Sequence, residues 1–155
     1  MTAVDCNVLI QEVQVSLQSL IDSEGVKIII KNRLPVLRAY VTELRLLFQN
    51  LIGNASKFHK KGVSPLITID VEKTDKGWLF SVADNGIGIE EKFFDRLFVV
   101  FQRLHNRDEY EGNGIGLAHC KKIVEMHGGK IWVSSKCGIG TTIYFTLPYE
   151  TILED

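Results

Sequence analysis

No apolar run in the 155-residue chain exceeds five residues; the longest, Leu97–Phe101, is far short of the ~20 needed to cross a bilayer. A charged-then-apolar leader is missing from the start as well, so direct membrane insertion and secretion are not expected. Charge of one sign is also missing. Eighteen Lys and Arg face 19 Asp and Glu, for a net charge of -1. Proteins that coat nucleic acid or anionic lipid carry a clear positive excess, so both classes are set aside, with a small local basic patch left open. Cysteine is scarce: Cys6, Cys120 and Cys137 are odd in number and form no CxxC. They read as reduced thiols of a cytosolic protein, most simply as small buried apolar residues. The four histidines, His59, His105, His119 and His127, include no pair at helical zinc-ligand spacing. Internal repeats, linkers and low-complexity segments are absent too. What remains is an ordinary globular composition, 45% hydrophobic and 24% charged. Its length suits one domain, able to bury about 70% of its unfolded surface.

Periodicity divides the chain. Val8, Leu9, Val13, Leu17, Leu20 and Ile21 recur near helical spacing, which predicts one helix over Asp5–Glu24, capped by Asp5 and stopped at Gly25. Val26–Lys31 is apolar and β-branched, a strand, and Leu34–Arg38 reads as its short partner, with Pro35 favouring an edge. A long helix is expected from about Thr42 to His59, ended by Lys60, Lys61 and Gly62. Leu66–Lys73 and Trp78–Ala83 flank a turn at Thr74–Gly77 and form a hairpin. A short helix is expected near Glu90–Leu97, a charged loop at His105–Gly112 and a helix over Ile115–His127. A last hairpin joins Lys130–Ser135 to Thr141–Leu147 around Gly138-Ile139-Gly140, and Tyr149–Asp155 reads as a frayed tail. Strands mixed with helices, and hairpins at the end, point to one antiparallel or mixed sheet covered on one face by helices.

Four places carry more than packing. Asn50, Asn54 and Lys57 stand at i, i+4 and i+7 of the long helix and share a face, beside an apolar stripe of Leu44, Leu47, Phe48, Leu51 and Ala55. Asparagine disfavours helices. Its amide oxygen suits Mg²⁺, and a lysine supplies a point charge toward phosphate; the other reading is a solvated polar face. Asp84-Asn85-Gly86-Ile87-Gly88 follows a strand directly. Asp84 there can accept from a base amino group, or the segment is an ordinary turn. Gly112-Asn113-Gly114-Ile115-Gly116-Leu117 opens a helix, where free amides and the helix dipole suit an anion. It lacks the Gly-Lys-Ser/Thr of a Walker loop and the preceding strand of a dinucleotide fingerprint, and a flexible glycine loop is the alternative. Gly138-Ile139-Gly140-Thr141 reads by itself as a glycine hairpin. Nine of the 13 glycines lie between Gly86 and Gly140, and these motifs account for most of them.

In this order, the four motifs resemble the catalytic ATP-binding domain of bacterial sensor histidine kinases, from the superfamily shared with gyrase B, Hsp90 and MutL. Asn50–Phe58 resembles the N box, Asp84–Gly88 the G1 box, Phe94–Phe101 the F box, Gly112–Leu117 the G2 box and Gly138–Thr141 the G3 box. Phe101-Gln102-Arg103-Leu104-His105, and His127-Gly128-Gly129 before Ile131-Trp132, are similar to the phytochrome-type and PAS-linked kinases. The resemblance implies a Bergerat ATP-binding fold: a two-layer α/β sandwich with a mixed, largely antiparallel sheet covered on one face by helices. It implies one catalytic domain over residues 1–148, a tail over 149–155, and a lid over about Phe98–Ile115, expected to be mobile without nucleotide. ATP and Mg²⁺ are the implied cofactors. Asn54 would be the Mg²⁺ ligand, Asn50 its neighbour, Lys57 a phosphate contact and Phe58 a border of the adenine. Asp84 would accept the adenine 6-amino proton, on the loop of Gly86, Ile87 and Gly88. Gln102 and Arg103 would lie near the phosphates, wrapped by the amides of Gly112, Asn113, Gly114, Ile115, Gly116 and Leu117. Thr141 would meet the adenine end. Guanine would set a carbonyl oxygen against Asp84, so ATP is expected well above GTP.

Asn50 bears on the reaction. Members that hydrolyse ATP typically carry Glu at the matching position, and Asn cannot take a proton near neutral pH. Phosphoryl transfer to a histidine, a protein-histidine kinase activity, is therefore favoured over hydrolysis. Three departures stand out: Tyr40 where Asp is common, Leu46 where Gln is common, and the lack of a phospho-acceptor histidine followed by an acidic residue. The chain thus reads as a cytoplasmic, monomeric fragment of a longer two-component kinase. Its expected partners are a dimerisation/phospho-acceptor domain and, indirectly, a response regulator. A non-catalytic ATP-gated interaction module is the alternative, followed by a superfamily ATPase.

Overall fold

The computed structural model describes residues 1–98 and 115–149, with the backbone alone at 115 and 116. It begins with a two-stranded antiparallel ribbon, β1 (Thr2–Asp5) against β3 (Val36–Ala39). Between them lie α1 (Cys6–Ser16), α2 (Gln18–Glu24) and β2 (Lys27–Ile30). Asp5 caps α1 as expected, its Oδ1 accepting from the Asn7 amide at 2.9 Å.

Two expectations are corrected here. The first helix is broken at Leu17. No glycine or proline announces the break, but the Ser16 hydroxyl donates back to the Val13 carbonyl (2.9 Å) while accepting from Gln49 (3.0 Å). Such back-bonding bends helices. The second correction concerns Leu34–Arg38, whose strand pairs with β1 and not with β2. Asn7 redirects the chain: its side chain accepts from the Leu34 amide (2.9 Å) and donates to the Leu34 carbonyl (2.7 Å). Asn32 also donates to Asp70 (2.7 Å), away from any hairpin back onto β2. Gly25 ends α2 in the left-handed region as expected, φ 67°.

The long helix is α3 (Val41–Lys57), followed by the hairpin β4 (Leu66–Lys73) and β5 (Gly77–Asp84). A short 3₁₀ helix covers Glu91–Arg96, and α4 (Ile115–Met126), β6 (Ile131–Lys136) and β7 (Gly140–Pro148) complete the described residues. The main sheet has the order β2-β4-β5-β7-β6, with β2–β4 parallel and the other pairs antiparallel. Buried residues of β4, β5 and β7 face the helices: Ile67, Ile69, Phe80, Val82, Ile143, Phe145 and Leu147. Phe48 of α3 drives into this layer and meets Phe80 and Phe145 edge-on, with centroids 5.9 and 5.6 Å away. On the opposite face Trp132 stacks on Tyr144 at 5.6 Å. Tyr149, expected to fray, is held: its hydroxyl donates to the Thr74 carbonyl and its ring stands edge-on to Trp78. Residues 150–155 lie outside the described residues.

Candidate functional site

The site grows from the C-terminal ends of α3 and β5. On α3 the buried stripe runs through Leu44, Leu47, Phe48, Leu51, Ile52 and Ala55. Packing that stripe on the sheet turns Asn50 and Asn54 to a half-buried position and Lys57 to an exposed one, all on one face. The Asn54 amide hydrogen-bonds to no described residue. The thiol of Cys120, on α4, lies against Asn50 and 4.0 Å from the Leu47 carbonyl. Burial pushes that thiol up to about 12, so it stays protonated and unreactive.

Phe58 ends α3, and its carbonyl accepts from the Ile87 amide at 3.2 Å. The loop after β5 is thereby pressed onto the helix end. Gly86 makes this possible, because a Cβ there would overlap the Phe58 carbonyl oxygen. Asn85, inside the motif, serves the scaffold: it accepts from the Leu66 amide (2.8 Å) and donates to the Ser64 carbonyl (3.2 Å). Asp84 closes β5. Its Oδ1 accepts from the amides of Gly86 (2.9 Å) and Thr141 (3.2 Å), while no described residue donates to Oδ2. Burial raises the Asp84 carboxyl above the usual carboxylate range, and those two N–H groups oppose the shift in part.

The loop from Gly86 to Ile89 is also locked to the β6–β7 turn. Ile87 accepts from the Gly138 amide (2.8 Å), and a Cβ on Gly140 would overlap the Asp84 carbonyl oxygen. Thr141, 9% exposed, stands opposite Asp84 in the β5–β7 register and opposite Ser135 in the β6–β7 register. The structure therefore brings together Phe58, Asp84, Gly86, Ile87, Gly88 and Thr141, one helical turn from Asn54. Leu117 turns its side chain to the core, and Ile115 and Gly116 begin α4. Gln102, Arg103, Gly112, Asn113 and Gly114 lie outside the described residues, as does all but the two ends of the expected lid, Phe98–Ile115.

Three contributors went unread in the sequence. Ser135 takes the inward place in β6 after Ile131 and Val133, so a polar residue breaking an apolar alternation was its signal. His127 is buried, accepts from the Tyr40 amide at Nε2 (3.0 Å) and donates from Nδ1 to the Ile123 carbonyl (2.8 Å). It joins the start of α3 to the end of α4 and meets the amide that Tyr40 presents there, while the Tyr40 side chain caps nothing. Cys120 offered no signal beyond its place on α4. Among the described residues no cluster of three His, Cys, Asp or Glu could hold a metal, and no helix is long and apolar enough to cross a membrane.

Comparison with known proteins bears on the family and the fold. The family described as "Histidine kinase-, DNA gyrase B-, and HSP90-like ATPase" matches residues 39–151. Cyanobacterial phytochrome A of Nostoc sp. (strain PCC 7120) is 58% identical over 74% of this chain and 15% of its own length. Phytochrome-like protein Cph1 of Synechocystis sp. (strain PCC 6803) is 44% identical over 96% of this chain and 20% of its own. The chain thus spans a fifth or less of these curated relatives. Among solved structures, the nucleotide-free catalytic domain of histidine kinase ThkA superposes with a TM-score of 0.79 at 28% identity, covering 96% of this chain and 95% of that one. Full-length ShkA in complex with AMPPNP superposes with a TM-score of 0.80 at 28% identity, covering 97% of this chain and 31% of that one.

Proposed function

The chain belongs to the histidine kinase-, DNA gyrase B- and HSP90-like ATPase family, and on that premise we propose that it is the ATP-binding catalytic domain of a phytochrome-type sensor histidine kinase. The observation that carries this reading is Asp84: a half-buried carboxylate with Oδ1 committed to two backbone amides and Oδ2 met by no described donor. Such an acceptor fits the exocyclic amino group of adenine. Phe58 borders the same loop, and Thr141 lies beside it.

Asn54 fits a magnesium ligand, since its amide oxygen is a hard donor on a half-buried face and Mg²⁺ commonly takes one or two protein ligands beside phosphates. Bound there, Mg²⁺ would neutralise phosphate charge. Lys57 adds a cation on the same face. Gln102 and Arg103, with the amides of Gly112 to Gly116, are proposed to complete the phosphate side.

Asn50 decides between transfer and hydrolysis in this reading. It offers no base for a water molecule, so the γ-phosphoryl group passes to a histidine nitrogen: the P–O bond to ADP breaks and a P–N bond forms. The acceptor belongs to a dimerisation hairpin elsewhere in the parent kinase. ThkA has been seen in complex with the response regulator TrrA, and by likeness a response regulator is proposed as the eventual recipient here. The test is to supply γ-labelled ATP and Mg²⁺, with and without a separately made phospho-acceptor hairpin of the parent kinase. Label on the hairpin and none on this chain is the expected result. Nucleotide binding without any transfer would favour an ATP-gated interaction module, and steady ATP hydrolysis without the hairpin would favour an ATPase.

A further inference from the structure

The Ser135 hydroxyl sits at the meeting point of the two loops that frame Asp84. It has three partners: the Ile89 amide at 2.7 Å, the Gly140 carbonyl at 2.9 Å and the Thr141 hydroxyl at 2.7 Å. A serine hydroxyl has one proton to give and two lone pairs to offer. An amide N–H can only donate, so Ile89 takes one lone pair. A carbonyl can only accept, so Gly140 takes the proton. Toward Thr141 only a lone pair is left, and Thr141 must therefore be the donor. The reverse arrangement would set Ser135 and the Gly140 carbonyl oxygen lone pair against lone pair at 2.9 Å.

This fixes how Thr141 faces the site. Its proton is turned to Ser135, so its oxygen has only lone pairs left to offer. Asp84, opposite it in register and bonded to its amide at 3.2 Å, also offers only lone pairs when charged. We propose that Ser135 is a positioning residue that sets purine selectivity, by holding the Thr141 proton so that Thr141 and Asp84 meet the base as acceptors alone. The inference rests on the nucleotide reading above and deepens it. A purine with an amino group at position 6, as in adenine, finds partners on this surface. A purine with a carbonyl oxygen at that place finds no donor.

The test compares ADP and GDP by calorimetric titration. The unaltered protein is expected to prefer ADP. In Ser135→Ala the Thr141 proton loses its acceptor and can turn to the base, so the ADP:GDP preference should fall roughly tenfold, the order of one buried hydrogen bond. Ser135→Thr keeps a hydroxyl and should keep the preference. In a Thr141→Val background, where no such proton exists, Ser135→Ala should change the ratio no further, which separates the proposed role from a general loosening of the fold. Amide exchange adds a readout free of nucleotide: Ser135→Ala should speed exchange at Ile89 and leave Val82, inside β5, unchanged. An unaltered preference in Ser135→Ala, or an equal change with and without Thr141, overturns the inference and leaves the nucleotide reading standing. Equal binding of ADP and GDP by the unaltered protein also overturns it. Binding of neither overturns the functional reading and the inference together.

Discussion

A carboxylate drawn partly out of water resists its own charge, and Asp84, half-buried, shows what that implies for function. Its folded pKa is raised above the ordinary aspartate value of 3.8, first by burial. The folded state therefore holds that proton more tightly than the unfolded state. The favourable contribution is complete below 3.8 and is lost as pH rises through the raised folded value. The ionised form thus works against the fold, and Asp84→Asn is expected to leave the melting temperature of the nucleotide-free protein unchanged or to raise it; a clear drop would contradict this. An adenine amino group bonding the charged form reverses the balance, so affinity should weaken as acid protonates Asp84. His59 behaves oppositely. Its Nε2 lies 2.6 Å from Glu24, and that hydrogen bond, with a smaller one to the Lys60 carbonyl, raises its pKa above 6.5 against desolvation. This pair stabilises fully below 6.5 and stops doing so as pH rises through the folded value. Because the pair is partly exposed, its worth is about 0.5–1 kcal/mol, or roughly 1–4 °C. Melting curves at about pH 6 and pH 8.5 should therefore converge on each other in Glu24→Gln. Asp84 and Gly86 were legible in the sequence because acid and glycine stand at a strand end, whereas Thr141 entered only through the family resemblance. The His59–Glu24 pair was not, since it joins residues 35 apart that only the packing of α2 beside the end of α3 brings together.

Among the elements, α3 organises the most. Its apolar stripe was readable at helical spacing, and Phe48 at its centre closes on Phe80 and Phe145, which stack at 5.0 Å. The β4–β5 and β6–β7 hairpins were readable too, because alternation and turn residues coincide there. Pairing between distant elements was not. β1 is four residues long, and nothing local says that it will recruit β3 in place of β2. The tie between α3 and α4 is of the same kind. His127 meets the Tyr40 amide across 87 residues, which no local pattern announces. His127→Ala is expected to destabilise the protein by about 1–3 kcal/mol, since it leaves a backbone donor without its partner. Denaturant unfolding with amide exchange at Tyr40 checks this; an unchanged Tyr40 exchange rate would mean that water or another group meets the amide equally well. The tie links the helix that carries Asn50 and Asn54 to the helix that opens with Ile115 and Gly116.

At the scale of the molecule, one helical layer on a five-stranded sheet leaves its site at one end, where α3, the loop after β5 and the β6–β7 turn converge. In the proposed reading the acceptor for phosphoryl transfer lies elsewhere in the parent kinase; the chain spans a fifth or less of its curated relatives. The order of the four motifs made the family legible from sequence, whereas the hydrogen bonds of Ser135 and Asn85 that interlock those motifs depend on strand register. The end of α3 and the Asp84 loop are proposed together to hold Mg·ATP. Calorimetric titration with a non-hydrolysable ATP analogue, with and without Mg²⁺, tests it most directly, run beside the GTP analogue and the Asp84→Asn variant. Mg²⁺-assisted, adenine-selective binding that weakens by about ten- to a hundredfold in the variant is the expected result. No binding, or equal binding of the two analogues with the variant unaffected, would contradict it.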